Sequence, residues 1–138
     1  MASGAYSTGI KAILDGDVDF LADTIKAVLV DAADYTVNLT THDFLDDVPS
    51  GARATNGTGT LASKTTTIST NVITVDAADL TLTSVRGDQS EAVVIYKDSG
   101  SEATSQLLYY LELSSAVTPN GGNITLQFNA SGLATFTR

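Results

Sequence analysis

His42 is the only imidazole in the chain, and with no second histidine and no cysteine it lacks the partners that nucleophilic catalysis or a transition-metal site requires. A catalytic reading makes it a general base for one of the many Ser and Thr hydroxyls. At a helix start beside Asp43 it is instead expected to be a solvated or capping residue. Asp15, Asp17 and Asp19 place carboxylates at alternate positions, a pattern that a loop folded around calcium can gather. An EF-hand loop needs a Gly after its third ligand and a Glu several residues on. Neither is present, so the expectation is a solvated loop at a helix end. Asp46-Asp47 and the pair Asp76 and Asp79 read the same way. Paired carboxylates also cleave glycosidic bonds, but in clefts with sugar-stacking aromatics, and the chain has no Trp. Gly51, Gly57 and Gly59 lack the following Lys-Ser/Thr of a phosphate cradle. The expectation is therefore no enzyme, no catalytic residue, no cofactor and no metal. Asn-x-Ser/Thr sequons begin at Asn38, Asn56, Asn123 and Asn129, at the frequency that a Thr- and Ser-rich chain produces by chance.

The elements that would position any site are short and mostly strands. Ser7 to Leu14 offers a Ser or Thr cap, apolar residues at Ile10, Ile13 and Leu14, and Gly16 to close a helix. His42 to Val48 reads as one helical turn with Phe44, Leu45 and Val48 inward, ending before Pro49. A polar Gly-rich loop then runs to Gly59. Strands are expected at Ile25–Val30, Tyr35–Thr40, Lys64–Ile68, Val72–Val75, Leu80–Thr83, Ala92–Tyr96, Gln106–Leu113, Ile124–Phe128 and Leu133–Thr137. Turns are marked at Ser69-Thr70-Asn71, Asp98 to Ser101, Asn120 to Asn123 and Ser131-Gly132. The uninterrupted apolar run Ala92 to Tyr96 is the best candidate for a central strand covered on both faces. The fold class that follows is mainly β, an antiparallel β-sandwich, with the jelly roll as one form of it, carrying a short N-terminal helix and one further helical turn.

With 138 residues, 43% of them apolar and 17% charged, the chain suits a single domain over residues 1–138 with one core. A net charge of −9 with only seven scattered basic residues argues against a nucleic-acid partner. The longest apolar run, Ile25 to Val30, is too short to span a membrane and carries Lys26. Met1 to Tyr6 lacks the basic and apolar parts of a secretory signal, so action without export by that route is expected. Stability must come from the core and from neighbouring chains, because no disulfide can form.

Six stretches in succession carry a resemblance: Asp23 to Leu29, His42 to Val48, Leu61 to Thr65, Asp76 to Leu80, Ala92 to Asp98 and Ala103 to Leu108. In this order the chain resembles a family of small virion structural proteins encoded near the capsid genes of tailed bacteriophages and cyanophages. Where such proteins carry an aromatic, often Trp, this chain has Thr81-Leu82-Thr83. The resemblance implies a β-rich virion protein and carries over no catalytic residue. The expected role is a capsid decoration or cement protein on the virion surface, made in the host cytoplasm. Its partners would be itself, as a homotrimer, and the major capsid protein. A tail or head–tail connector component is the alternative, and a carbohydrate-binding adhesion module is a third reading, disfavoured by the 7% aromatic share. Interface residues are expected at Tyr6, within an extended N-terminal arm of residues 1–6, and at Tyr109 and Tyr110, whose rings must leave opposite faces of one strand.

Overall fold

The computed structural model describes residues 3–128 and 132–137. Its centre is a five-stranded antiparallel sheet in the order β1-β8-β7-β2-β3, made of β1 (Gly4–Ala5), β2 (Ile25–Val30), β3 (Arg53–Thr60), β7 (Ser90–Lys97) and β8 (Leu107–Val117). A three-stranded antiparallel sheet, β10-β5-β4, is formed by β4 (Thr65–Ser69), β5 (Val72–Asp76) and β10 (Ala134–Thr137). The strands β6 (Leu80–Leu82) and β9 (Ile124–Leu126) pair as a two-stranded sheet. One α-helix, α1 (Ser7–Asp15), and 3-10 turns at Leu45–Asp47 and Ser50–Ala52 complete the described elements. The protein is mainly β and antiparallel, as the sequence predicts. Among the described residues, the division into five, three and two strands differs from the paired four-stranded sheets of a jelly roll.

The large sheet is buried on both faces, and strand alternation divides its side chains between two cores. Ala27, Leu29, Val93 and Ile95 point to a core shared with Leu82, Leu126, Leu133 and Ala134 of the smaller sheets. On this side, sheet packs on sheet. Val28, Val30, Ala92, Val94 and Tyr96 point to the other core, closed by Tyr35, Val37, Leu45 and Val48 from residues 31–52. This double covering accounts for the unbroken apolar sequence of β7, the central strand of the five.

Several expectations are corrected. Residues 3–6 are no arm laid on a neighbour: Gly4 and Ala5 pair with Tyr110 and Tyr109 of β8, and the Tyr6 amide donates to Leu108 O at 3.0 Å. Met1 and Ala2 of that expected arm lie outside the described residues, as do the sequon residue Asn129 and Ser131 of the marked turn. Tyr35 to Thr40 alternates in burial but joins no sheet, being extended cover over the second core. The expected Gly-rich loop before Gly59 is strand β3. Its glycine content reflects close packing, since a Cβ on Gly59 would stand 2.8 and 2.9 Å from methyl carbons of Leu80 and Leu82.

Helix α1 forms where expected and ends at Gly16, which has φ 86°. Its N-cap is Tyr6, with no side-chain cap, instead of a Ser or Thr. Gly9 and Ala12 face inward, while Ile10, Ile13 and Leu14 face out. Gly9 sets this arrangement, because a Cβ there would lie 2.3 Å from Leu107 O. The helix rests its smallest residues on the β8 backbone and leaves its apolar stripe free.

Candidate interaction site

That stripe forms one wall of an apolar groove of about 330 Å³. The opposite wall is the inward face of the three-stranded sheet, where Ile73, Val75 and Phe136 stand side by side. Ile95, Leu108 and Tyr109 form the floor, with Phe20 closing one end. No lining residue is ionisable except through the Tyr109 phenol. The large apolar side chains that the described surface leaves exposed are Ile10, Ile13, Leu14, Leu21, Ile68 and Ile73. Four of them line this groove, Leu21 follows Phe20 in the chain, and Ile68 pairs with Ile73. Leu14 is the most open, at 81% exposure. A patch gathered in this way, on a chain of net charge −9, has the chemistry to pack against another apolar surface.

The three tyrosines expected at an interface are distributed differently. Tyr6 is completely buried, and Tyr110 is 2% exposed in the same core. Both are interior residues, so neither is available to a partner on this fold. Tyr109 alone reaches the groove. A bulge explains why the two adjacent rings part company with their neighbours: Tyr96 pairs with Leu107 and Ile95 with Tyr109, so Leu108 is extra and joins Tyr109 on the groove side. The sequence signal for the groove was the apolar spacing of α1.

His42 is neither free nor a cap. The Asn38 amide donates to its Nδ1 at 3.3 Å, which makes Nδ1 an acceptor, and the Tyr35 hydroxyl lies 2.9 Å from the same atom. Tyr35 therefore donates to His42, and Tyr6 donates to the Tyr35 oxygen at 2.9 Å. Burial drives the Tyr6 phenol far above its usual range and the Tyr35 phenol up to about 12. The chain of three rings fastens residues 35–42 over the second core.

Two carboxylates of the acidic run, Asp15 and Asp19, are engaged locally. Asp15 pairs with Lys11, and Asp19 accepts the amides of Leu21 and Ala22 at 3.1 Å. Asp23 accepts the Asp19 amide at 2.7 Å, a bond that holds its carboxyl below the usual range, assisted by Lys97 at 3.2 Å. The carboxylates that do converge are Asp31, Asp34 and Asp88, and separately Asp43, Asp46 and Asp47. The second group is tied up in part, because Asp47 accepts the Asp43 amide at 2.8 Å. The basic residues are largely spent on internal contacts: Lys26 with Asp98 at 2.7 Å, Arg53 with Glu102 at 2.7 Å, and Lys64 on the Asp23 carbonyl and over the Phe20 ring. The outer surface is left acidic.

A second, shallower cleft of about 410 Å³ lies between β3 and β6, lined by Asn56, Thr58, Thr81, Thr83 and Ser84 among others. It offers hydroxyl and amide groups but no aromatic ring on which a sugar would stack. No protein-family model matches the chain, and no curated protein matches it either.

Proposed function

We propose that this chain is a structural protein of a tailed-phage virion, a decoration or cement protein seated on the outer shell across joints between major capsid subunits. The observation that carries the reading is the uncharged groove beside α1, where the exposed large apolar residues collect on an otherwise acidic surface. The succession of stretches resembling small virion proteins supplies the setting. In this reading the groove is turned toward the shell and covered by an apolar segment of the capsid subunit, with copies arranged as trimers around local threefold axes. The acidic remainder keeps unassembled copies apart and soluble before they dock. Burial of apolar surface, at roughly 25 cal/mol per Å² and repeated at every joint, adds cohesion against internal genome pressure.

The test is a particle assembled without the chain. Such heads should form and fill but release their genome at a lower temperature or a milder osmotic shock than complete heads. Heads of full stability that shed their tails would assign the chain to the head–tail connector instead.

A further inference from the structure

The geometry points to a second contact, adjoining the groove at Thr66: β4 is a pairing edge through which two copies of this chain join about a twofold axis at Thr67. β4 is the outer strand of its sheet, and all five of its residues are exposed. Its neighbour is reached by the two-residue connection Thr70-Asn71, so the hairpin closes on the pair Ser69 and Val72. Hydrogen bonding then alternates along the strand, placing Ser69, Thr67 and Thr65 in bonded pairs with β5. The amides and carbonyls of Thr66 and Ile68 consequently face the open side. Among the described residues, β4 pairs with β5 alone.

Edges of this kind are usually guarded by an internal Lys, a Pro or a bulge. Thr65-Thr66-Thr67-Ile68-Ser69 has none of these. The edges of the five-stranded sheet differ: β1 is two residues long, and β3 carries Arg53 and is bridged through Thr55 to Arg86. On a chain of net charge −9, β4 is a stretch without any ionisable group, and a second copy can approach it without charge repulsion.

The pattern is also complementary to itself. An antiparallel partner that satisfies the outward groups of Thr66 and Ile68 must set Thr66 opposite the second copy's Ile68 and Thr67 opposite the second copy's Thr67. The first pairs exchange backbone hydrogen bonds, and the central pair is the close, non-bonded kind. On one face this register continues the row Phe136, Ile73, Ile68, which now ends at an Ile68 that is 76% exposed. On the other it doubles the row Thr135, Thr74, Thr67 into six cross-strand threonines. The occupant is therefore a second copy, and the product is a six-stranded sheet.

The central pair would bring two Thr67 Cα atoms to about 4.5 Å, within the span a disulfide bridges. The chain has no cysteine, so Thr67→Cys introduces a single thiol. Under mild oxidation, Thr67→Cys should form a linked dimer about tenfold or more faster than Thr118→Cys, an exposed site outside any strand. Adding Ile68→Lys, which puts like charges beside the axis, should bring the rate down to that of the control while circular dichroism stays unchanged. A Thr67→Cys rate no faster than the control overturns the proposal. So does a fast rate that Ile68→Lys leaves untouched, or linkage only to a different protein in assembled particles.

Discussion

The Tyr6 hydroxyl donates to the Tyr35 oxygen across 29 residues of sequence, at 2.9 Å, and so ties the first turn of α1 to the segment covering the second core. Removing the outer hydroxyl, by Tyr6→Phe, takes away one donor and should cost about 1 kcal/mol. Tyr35→Phe leaves the Tyr6 hydroxyl without its acceptor and His42 Nδ1 with the Asn38 amide alone, and should cost about 2 kcal/mol. Urea unfolding of the two variants beside the parent measures the order.

The same phenols set an alkaline limit. Unfolded tyrosine releases its proton near pH 10, whereas Tyr35 in the fold holds it to about 12 and Tyr6 holds it more firmly still. Above pH 10 the unfolded chain therefore binds fewer protons than the folded one, and stability falls as pH rises. It is fully present below pH 10 and is lost through the window from 10 to 12. Unfolding midpoints between pH 8 and 12 should decline over that window, and the decline should be shallower in the Tyr6→Phe, Tyr35→Phe double variant.

Two glycines separate rigid from yielding contacts. Gly9→Ala would drive a methyl against the Leu107 carbonyl and the Leu108 Cα, both backbone, and should lift α1 from the sheet at a cost of about 3 kcal/mol. Gly59→Ala meets only the ends of the Leu80 and Leu82 side chains, which can turn aside, and should cost about 1 kcal/mol. Thermal unfolding ranks the pair.

These residues also show what could be read in advance. The run Ala92 to Tyr96 announced a strand covered on both faces because burial on both sides removes alternation. Gly59 hid β3, since glycine weakens a strand by every local measure and is required here only by leucines about twenty residues away. The apolar spacing of Ile10, Ile13 and Leu14 located α1 but did not say which way it would face. Periodicity marks a stripe that needs cover, not what supplies it, and Gly9 with Ala12 provided the closer fit to β8. The ring chain Tyr6, Tyr35, His42 left no local trace, because its members meet only after residues 31–52 close over the sheet.

The Asp15 to Asp19 segment should not respond to calcium. Two of its three carboxylates are engaged, Asp15 by Lys11 and Asp19 by the amides of Leu21 and Ala22, so no set of three free carboxylates is held ready. Melting curves in calcium and in EDTA should superimpose. A fall of several degrees on chelation would show that ions hold the fold at this segment or at another acidic cluster.

Leu14→Asp and Ile10→Asp place charges on the groove wall, Leu14 at 81% exposure where little intramolecular packing is lost and Ile10 at 39% where more is. Both should fold, Leu14→Asp with a melting temperature close to the parent and Ile10→Asp with a lower one. Both should also fail to cosediment with heads that lack the chain, while a substitution on the far side, such as Asp34→Ser, should bind them fully.

Electron cryomicroscopy of intact virions that carry this chain is the most direct measurement. The account requires density for it on the outer shell, over joints between major capsid subunits, with the face bearing Leu14 and Ile73 turned down onto the shell. Density confined to the neck or tail, or a groove left facing solvent on a bound copy, would contradict it.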